Sequence, residues 1–264
     1  MSRYRETLTL VPLTVFSLTL LNAQIAGAQE TGRDLTGAIG LGISSGPEFN
    51  GSDETSAGVF PIFDLTWRDR YFLNQRGLGV YALRNHGPND LSVGIAIGYD
   101  FNERLVADDA RLAGLKDVEA GALLTAFAEY DAGIADLEFE VSHGLSSDGH
   151  EGTRATAAAE FGMPVGKRVY LSAKPFVTWA DGSYTDAFYG VSAANAATSS
   201  FSRFEAGSGF ERVGVELRAS YDLTVRTGVF LGVEHARLLG DAQDSPISFD
   251  DSQTEISTGI IFRF

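Results

Sequence analysis

The sequence predicts an all-β chain closed into a transmembrane antiparallel barrel of about 12 strands, with 10 as the alternative count. Three observations carry this prediction: a two-residue alternation of apolar and polar residues, segments long enough to cross a bilayer, and connections that alternate between short and long. From Val213 to Leu223 the odd positions hold Val213, Val215, Leu217, Ala219, Tyr221 and Leu223, and the even ones Gly214, Glu216, Arg218, Ser220 and Asp222. That is a strand with one apolar and one polar face. A soluble sandwich alternates in the same way, but its strands usually run about five or six residues, whereas about 9 to 11 are needed to cross a bilayer at a tilt.

Taken in order, the chain opens with an address. Arg3 and Arg5 precede an apolar stretch from Leu8 to Leu21, and small residues end at Ala26-Gly27-Ala28, which reads as a secretory signal peptide over 1–28. The apolar run is interrupted by Pro12 and falls short of the roughly 20 residues of a spanning helix. The remaining 29–264 form the barrel domain. Its strands are expected at 36–45, 58–68, 91–101, 117–130, 135–145, 153–163, 168–179, 210–222, 227–238 and 254–264.

The stretch Tyr71 to Arg84 is settled by parity. Strand 58–68 arrives at the periplasmic side and strand 91–101 leaves from it, so the stretch either goes up and comes back or stays out of the wall; a turn at Asn74-Gln-Arg-Gly77 favours a short hairpin at 70–84 and hence 12 strands. Short turns at 130–134, 164–167 and 223–226 alternate with longer polar loops at 102–116, 146–152, 181–208 and 240–254, as periplasmic turns and extracellular loops do. The last strand ends in Phe262 and Phe264, two residues apart. This resembles the terminus that the barrel assembly machinery of the Gram-negative outer membrane reads.

Composition excludes several functions. The chain has no cysteine, so disulfide scaffolds, thiolate metal sites and cysteine nucleophiles are ruled out. With 20 Lys+Arg against 35 Asp+Glu and a formal charge of -15, it lacks the basic face that nucleic acid requires. The register sends Asp64, Arg68, Glu119, Glu129, Glu138, Glu140, Glu160, Lys174, Glu216, Arg218, Glu255 and Arg263 into the lumen. Such an acidic lining fits either a narrow cation-preferring pore or a salt-bridged filling of a small barrel. No catalytic, cofactor or metal site is expected. Ser146 lies three residues beyond His143, but no acid accompanies the pair. The loop acids Asp53-Glu54, Asp108-Asp109 and Asp250-Asp251 lack ligand spacing. The 28-residue loop 181–208 either folds inward or carries contacts, with Tyr184, Phe188 and Tyr189 as its candidate anchors and the aromatic belt of the rim as the alternative reading of them.

Several blocks carry a family resemblance: GPEFNGSD at 46–53, FDLTWRDRYF at 63–72, RGLG at 76–79, LAGLKD at 112–117, TWADGSYTDAFYGVSAA at 178–194 and LLGDAQDSP at 238–246. In content and order they resemble the MipA/OmpV family, the MltA-interacting proteins of the Gram-negative outer membrane. The resemblance implies a non-enzymatic outer-membrane barrel, surrounded by outer-membrane lipid. It also implies a scaffold joining a murein lytic transglycosylase to a bifunctional penicillin-binding protein, with porin-like or adhesive roles as alternatives.

Overall fold

A computed structural model describes residues 34–86 and 89–264; the expected signal peptide lies outside them. Twelve antiparallel strands close on themselves: β1 (Leu35–Pro47), β2 (Thr55–Trp67), β3 (Tyr71–Asn74), β4 (Gly77–Arg84), β5 (Leu91–Asp100), β6 (Gly121–Asp131), β7 (Asp136–Gly144), β8 (Thr153–Val165), β9 (Val169–Ala180), β10 (Gly209–Asp222), β11 (Thr227–Leu238) and β12 (Ser252–Arg263). Each strand pairs with its sequence neighbours. The ring is sealed where β1 meets β12, from Ala38 opposite Arg263 to Ser45 opposite Ile256. The count is therefore 12 and not 10.

The hairpin required by parity is present as β3 and β4, turning at Gln75-Arg76. Gly77 makes the turn possible. Its φ is +103°, and a Cβ there would come within 2.1 Å of the Ile97 carbonyl oxygen. One expected boundary moves: β6 begins at Gly121, because Arg104 and Val118 exchange backbone hydrogen bonds (2.9 and 3.0 Å) and hold 101–120 as a loop.

The alternation sorts side chains as the pleat demands. Along β12, Gln253, Glu255, Ser257 and Ile261 are buried, while Ile256, Ile260 and Phe262 are exposed on the outer face. Exposed Leu41, Ile43, Ile95, Ile97, Phe139, Leu217 and Leu231 continue that outer belt around the barrel. A closed sheet with an apolar outside and a charged inside is the form that lipid permits, since closure pairs the first strand with the last. One irregularity re-aims a side chain. The β9–β10 register slips between Phe210 and Arg212, and this bulge turns both Glu211 and Arg212 inward, where they are 2% and 8% exposed.

The two ends of the barrel differ. One holds the short turns 68–70, 132–135, 166–168 and 223–226 with both described chain ends; the other holds the long connections. Those connections contain helices that alternation could not reveal: α1 (Gly182–Tyr189), α2 (Ala193–Thr198), α3 (Gly240–Asp244) and a 3-10 turn at Ala110–Leu112.

The sidedness of the wall is directly testable. Leu217→Arg would place a cation in the outer belt and is expected to lower unfolding stability in lipid vesicles by about 2 to 4 kcal/mol, whereas Thr224→Arg, in a turn, should change it little. Equal effects of the two substitutions in urea titrations would contradict the assigned outer face.

Candidate functional site

Inward-pointing charges meet across the lumen. Arg76, at the β3–β4 turn, donates from Nε to Glu140 and from Nη1 to Glu129, both at 2.7 Å, and its guanidinium lies 4.3 Å from the Phe127 ring centroid. Higher up, Lys174 stands between Glu138 (3.7 Å) and Glu216 (3.6 Å), and Glu216 also accepts from Arg218 at 2.6 Å. Arg212 donates to Glu234 at 2.9 Å, Arg154 to Glu211 at 2.9 Å and Arg263 to Asp222 at 2.7 Å. Aromatic rings pack between these pairs, with Phe72, Tyr81 and Phe127 in mutual contact. A charge held away from water is costly unless paired, so the pairs settle where each side chain can stand.

Not every residue expected in the lumen joins this network. Glu129, Glu138, Glu140, Lys174, Glu216, Arg218 and Arg263 do. Glu160 and Glu255 are buried (6% each), and Asp64 is half-buried on the inner face of β2. Two lie elsewhere. Glu119 is exposed in the 101–120 loop, because β6 starts two residues later. Arg68 sits exposed in the turn after β2, with a φ of +51°, 3.7 Å from Asp34 and stacked over Trp67. The network also contains residues that sequence reasoning passed over: Arg76, Arg154, Glu211, Arg212 and Glu234. Counting by twos along β8, β10 and β11 reaches Arg154, Arg212 and Glu234. Glu211 depends on the bulge, and Arg76 on a turn that stays within the wall.

The long connections fold together as a cap over one mouth. Tyr184, Phe188 and Tyr189 of α1 are 0%, 3% and 0% exposed and pack with Val118, Leu238 and Ala242. They therefore hold the cap together and offer no outward contact surface, so of the two readings of this loop the structure has the one that folds inward. The Tyr189 hydroxyl donates to Glu211 at 3.0 Å, Ser245 donates to the Tyr189 carbonyl at 2.6 Å, and Arg104 donates to the Phe188 carbonyl at 3.1 Å. The reason is local: Asp181 caps α1 by accepting from the Tyr184 amide at 2.9 Å, which turns the aromatic residues of the helix toward the barrel. A buried pair, His150 and Asp100 at 2.9 Å, fastens the cap from below, the imidazole edge-on to Tyr184. A second apolar cluster joins Phe49, Leu112, Leu115, Val191 and Ile247.

The remaining candidates are held apart. The His143 ring bonds Thr153 on the outer face (3.0 Å), while the Ser146 hydroxyl accepts from the Ala122 amide (2.9 Å). Asp53 and Asp109 both bind Arg111, and Asp251 binds Arg237 and Gln243. Among the described residues no cluster of acids and histidines has metal-site geometry.

Two predictions follow from the network and the cap. Glu211→Ala strands the buried Arg154 guanidinium and the Tyr189 hydroxyl, and is expected to cost about 3 to 5 kcal/mol, read by urea unfolding in detergent. A change below about 1 kcal/mol would mean that water replaces the carboxylate. The second concerns pH. Hydrogen bonds from Arg111 hold the Asp53 and Asp109 carboxyls below the usual carboxylate range. Depressed folded values stabilise above the unfolded pKa, so the clasp between loops 48–54 and 101–120 is complete at neutral pH. It is lost as pH falls below the ordinary aspartate value of 3.8 and through the folded values. Limited proteolysis in the 101–120 loop should be slow at pH 5 and fast only well below pH 4; equal cleavage at both would refute the clasp.

No curated protein matches by sequence. Among solved structures the chain is similar to an outer membrane channel from Pseudomonas putida (11% identity, TM-score 0.42, 90% of this chain and 100% of that one). It is also similar to OmpT, an outer membrane protein of Vibrio cholerae (8%, 0.38, 88% and 97%), and to an anion-selective porin from Comamonas acidovorans (11%, 0.34, 87% and 98%). The model of the family described as MltA-interacting protein MipA matches residues 39–264, so that this chain, a closed barrel of the outer-membrane kind, belongs to the MipA family.

Proposed function

We propose that this protein is exported by its first 28 residues, spans the outer membrane with its short turns in the periplasm, and serves there as a non-enzymatic docking platform for a murein-remodelling enzyme. The family description, an MltA-interacting protein, supports a murein lytic transglycosylase as the partner. The observation that carries the reading is a polarity of charge. The connections at the capped end, 48–54, 101–120, 145–152, 181–208 and 239–251, hold 17 acids against 4 bases. The turns at the other end, 68–70, 85–90, 132–135, 166–168 and 223–226, hold 5 bases against 2 acids.

On a chain of net charge -15, a basic rim is a local departure that favours an acidic partner surface and steers its approach. Two apolar tips rise from that rim, Ile134 at 85% and Val225 at 76% exposure, beside Lys167, Arg168 and Arg226. A lumen crossed by ion pairs under a packed cap also suits a platform better than a wide pore. A second reading, a small-solute channel, draws on the space left under the cap and requires the cap to move.

Reversing the rim tests the first reading. The triple variant Lys167→Glu, Arg168→Glu, Arg226→Glu should weaken capture of a purified murein lytic transglycosylase at least tenfold at physiological salt, and low salt should strengthen the wild-type interaction. Unchanged capture by the triple variant would overturn the rim as the docking surface.

A further inference from the structure

At the short-turn end the outer face finishes in aromatic side chains. Trp67, Tyr71, Tyr130 and Tyr221 are exposed where β2, β3, β6 and β10 meet their turns, the level at which a membrane barrel passes from hydrocarbon to headgroups. One sector of this girdle carries more than rings. Trp67 and Tyr71 pair across β2 and β3 with ring centroids 5.5 Å apart, and the turn between them reads Arg68-Asp69-Arg70. The Arg68 guanidinium lies 4.8 Å from the Trp67 centroid, and that of Arg70 lies 6.0 Å from the Tyr71 centroid. β12 and β1 separate this sector from the β10–β11 turn that carries Arg226.

Two observations mark the turn as more than a connection. The first is its backbone: Arg68 and Asp69 have φ values of +51° and +55°, the left-handed region that a tight hairpin turn ordinarily gives to Asn or Gly. The conformation that strains Arg68 also lays its guanidinium over Trp67. The second is the balance of charge. The Asp69 carboxylate is taken by Arg84 at 3.0 Å and His86 at 2.9 Å, so it does not occupy the arginines on either side of it. Arg70 has no hydrogen-bond or ion-pair partner among the described residues. Arg68 stands 3.7 Å from Asp34, longer than a charge-assisted hydrogen bond, with both side chains exposed.

A guanidinium stacked on a ring keeps its N–H donors in its own plane and free for a partner. Two such forks over neighbouring rings at the edge of hydrocarbon suit an acceptor that has several oxygens, a full negative charge and an apolar body. We propose that the Trp67–Tyr71 sector binds an anionic phospholipid, its phosphate on Arg68 and Arg70 and its acyl chains along the outer belt at Phe63 and Leu73. A zwitterionic phospholipid fits less well, because its ammonium group would stand against the two guanidiniums. This site shares with the proposed function only the reading that the barrel spans a membrane, and it is independent of docking on Lys167, Arg168 and Arg226.

The chain has two tryptophans, Trp67 in this sector and Trp179 on the outer face at the capped end of β9, so each serves as the other's control. The test is fluorescence quenching in vesicles that contain brominated phosphatidylglycerol or brominated phosphatidylcholine. Trp179→Phe leaves Trp67 as the reporter, and Trp67→Phe leaves Trp179. At Trp67 the anionic lipid is expected to bind at least about threefold tighter than phosphatidylcholine, less so at high salt, and at Trp179 no such preference is expected. Arg68→Gln with Arg70→Gln should remove the preference at Trp67, and unchanged heat-modifiable gel migration would show that this variant is folded. Should it fail to fold, Arg70→Gln alone supplies the same test from the unpaired side chain. Equal binding of the two lipids at Trp67, an equal preference at Trp179, or a preference kept by the folded double variant would each overturn the proposal. Quenching of neither tryptophan by either lipid would overturn the membrane-spanning reading and the site with it, whereas loss of the lipid preference alone leaves capture of the transglycosylase by the rim unaffected.

Discussion

A backbone amide facing hydrocarbon must find its partner within the protein, at a cost of several kcal/mol when it does not. Nearly every feature of this wall follows from that constraint. It forces β1 onto β12, and with both described chain ends on one side it fixes an even strand count. It explains why a segment as short as Tyr71–Asn74 is still a strand: without it, Leu65 to Trp67 would face an empty edge. It also fixes the register, because a slip by one residue would drive Glu216 and Arg218 into lipid and bring Leu217 inside.

Closing the wall creates the second problem, which is what to do with charge on the inside. Pairing solves it, and all of these pairs but Glu216–Arg218, which lies within β10, link different parts of the wall. Arg76 ties the short hairpin to β6 and β7, Lys174 ties β9 to β7 and β10, and Arg212 ties β10 to β11. Buried pairs of this kind contribute little net stability compared with an apolar filling, but breaking one is costly, so they favour one arrangement of the lumen over others. Through Glu211 the same logic reaches the cap. That carboxylate joins Arg154 of the wall to Tyr189 of α1, so cap and barrel share a buried charge as well as an apolar cluster.

Strands were legible in the sequence where a period-two pattern ran unbroken, as in Val213 to Leu223, and the hairpin was legible through parity alone. Features set by tertiary contact were not. Asp117 to Ala120 looks like the start of β6, but Val118 is drawn into a bridge with Arg104. The aromatic residues of 181–208 look like rim anchors, but Asp181 starts a helix that turns them inward. A bulge has no period, so Glu211 was invisible on a strand whose odd positions otherwise face lipid. Among the lumen residues, those found lie on regular alternation, while Arg68 and Glu119 sat at strand ends, where the alternation stops.

The constraint that shapes the wall is least completely met along β2. β2 pairs with β3 only over Leu65 to Trp67, so from Thr55 to Asp64 its sole strand partner is β1. Pro61 sits in that stretch, opposite Leu41, and lacks the N–H that an edge would otherwise leave unpaired, which also blunts the edge against pairing with another chain. Beyond this gap the chain continues into the connections just before β2 and just after β5, the strands that flank the short hairpin. The shortest part of the wall thus lies between β2 and β5. Above this side the Arg111 clasp joins loops 48–54 and 101–120, while the α1 cap packs on Glu211 and Leu238, so the loops bridge the mouth where the wall beneath them is least paired.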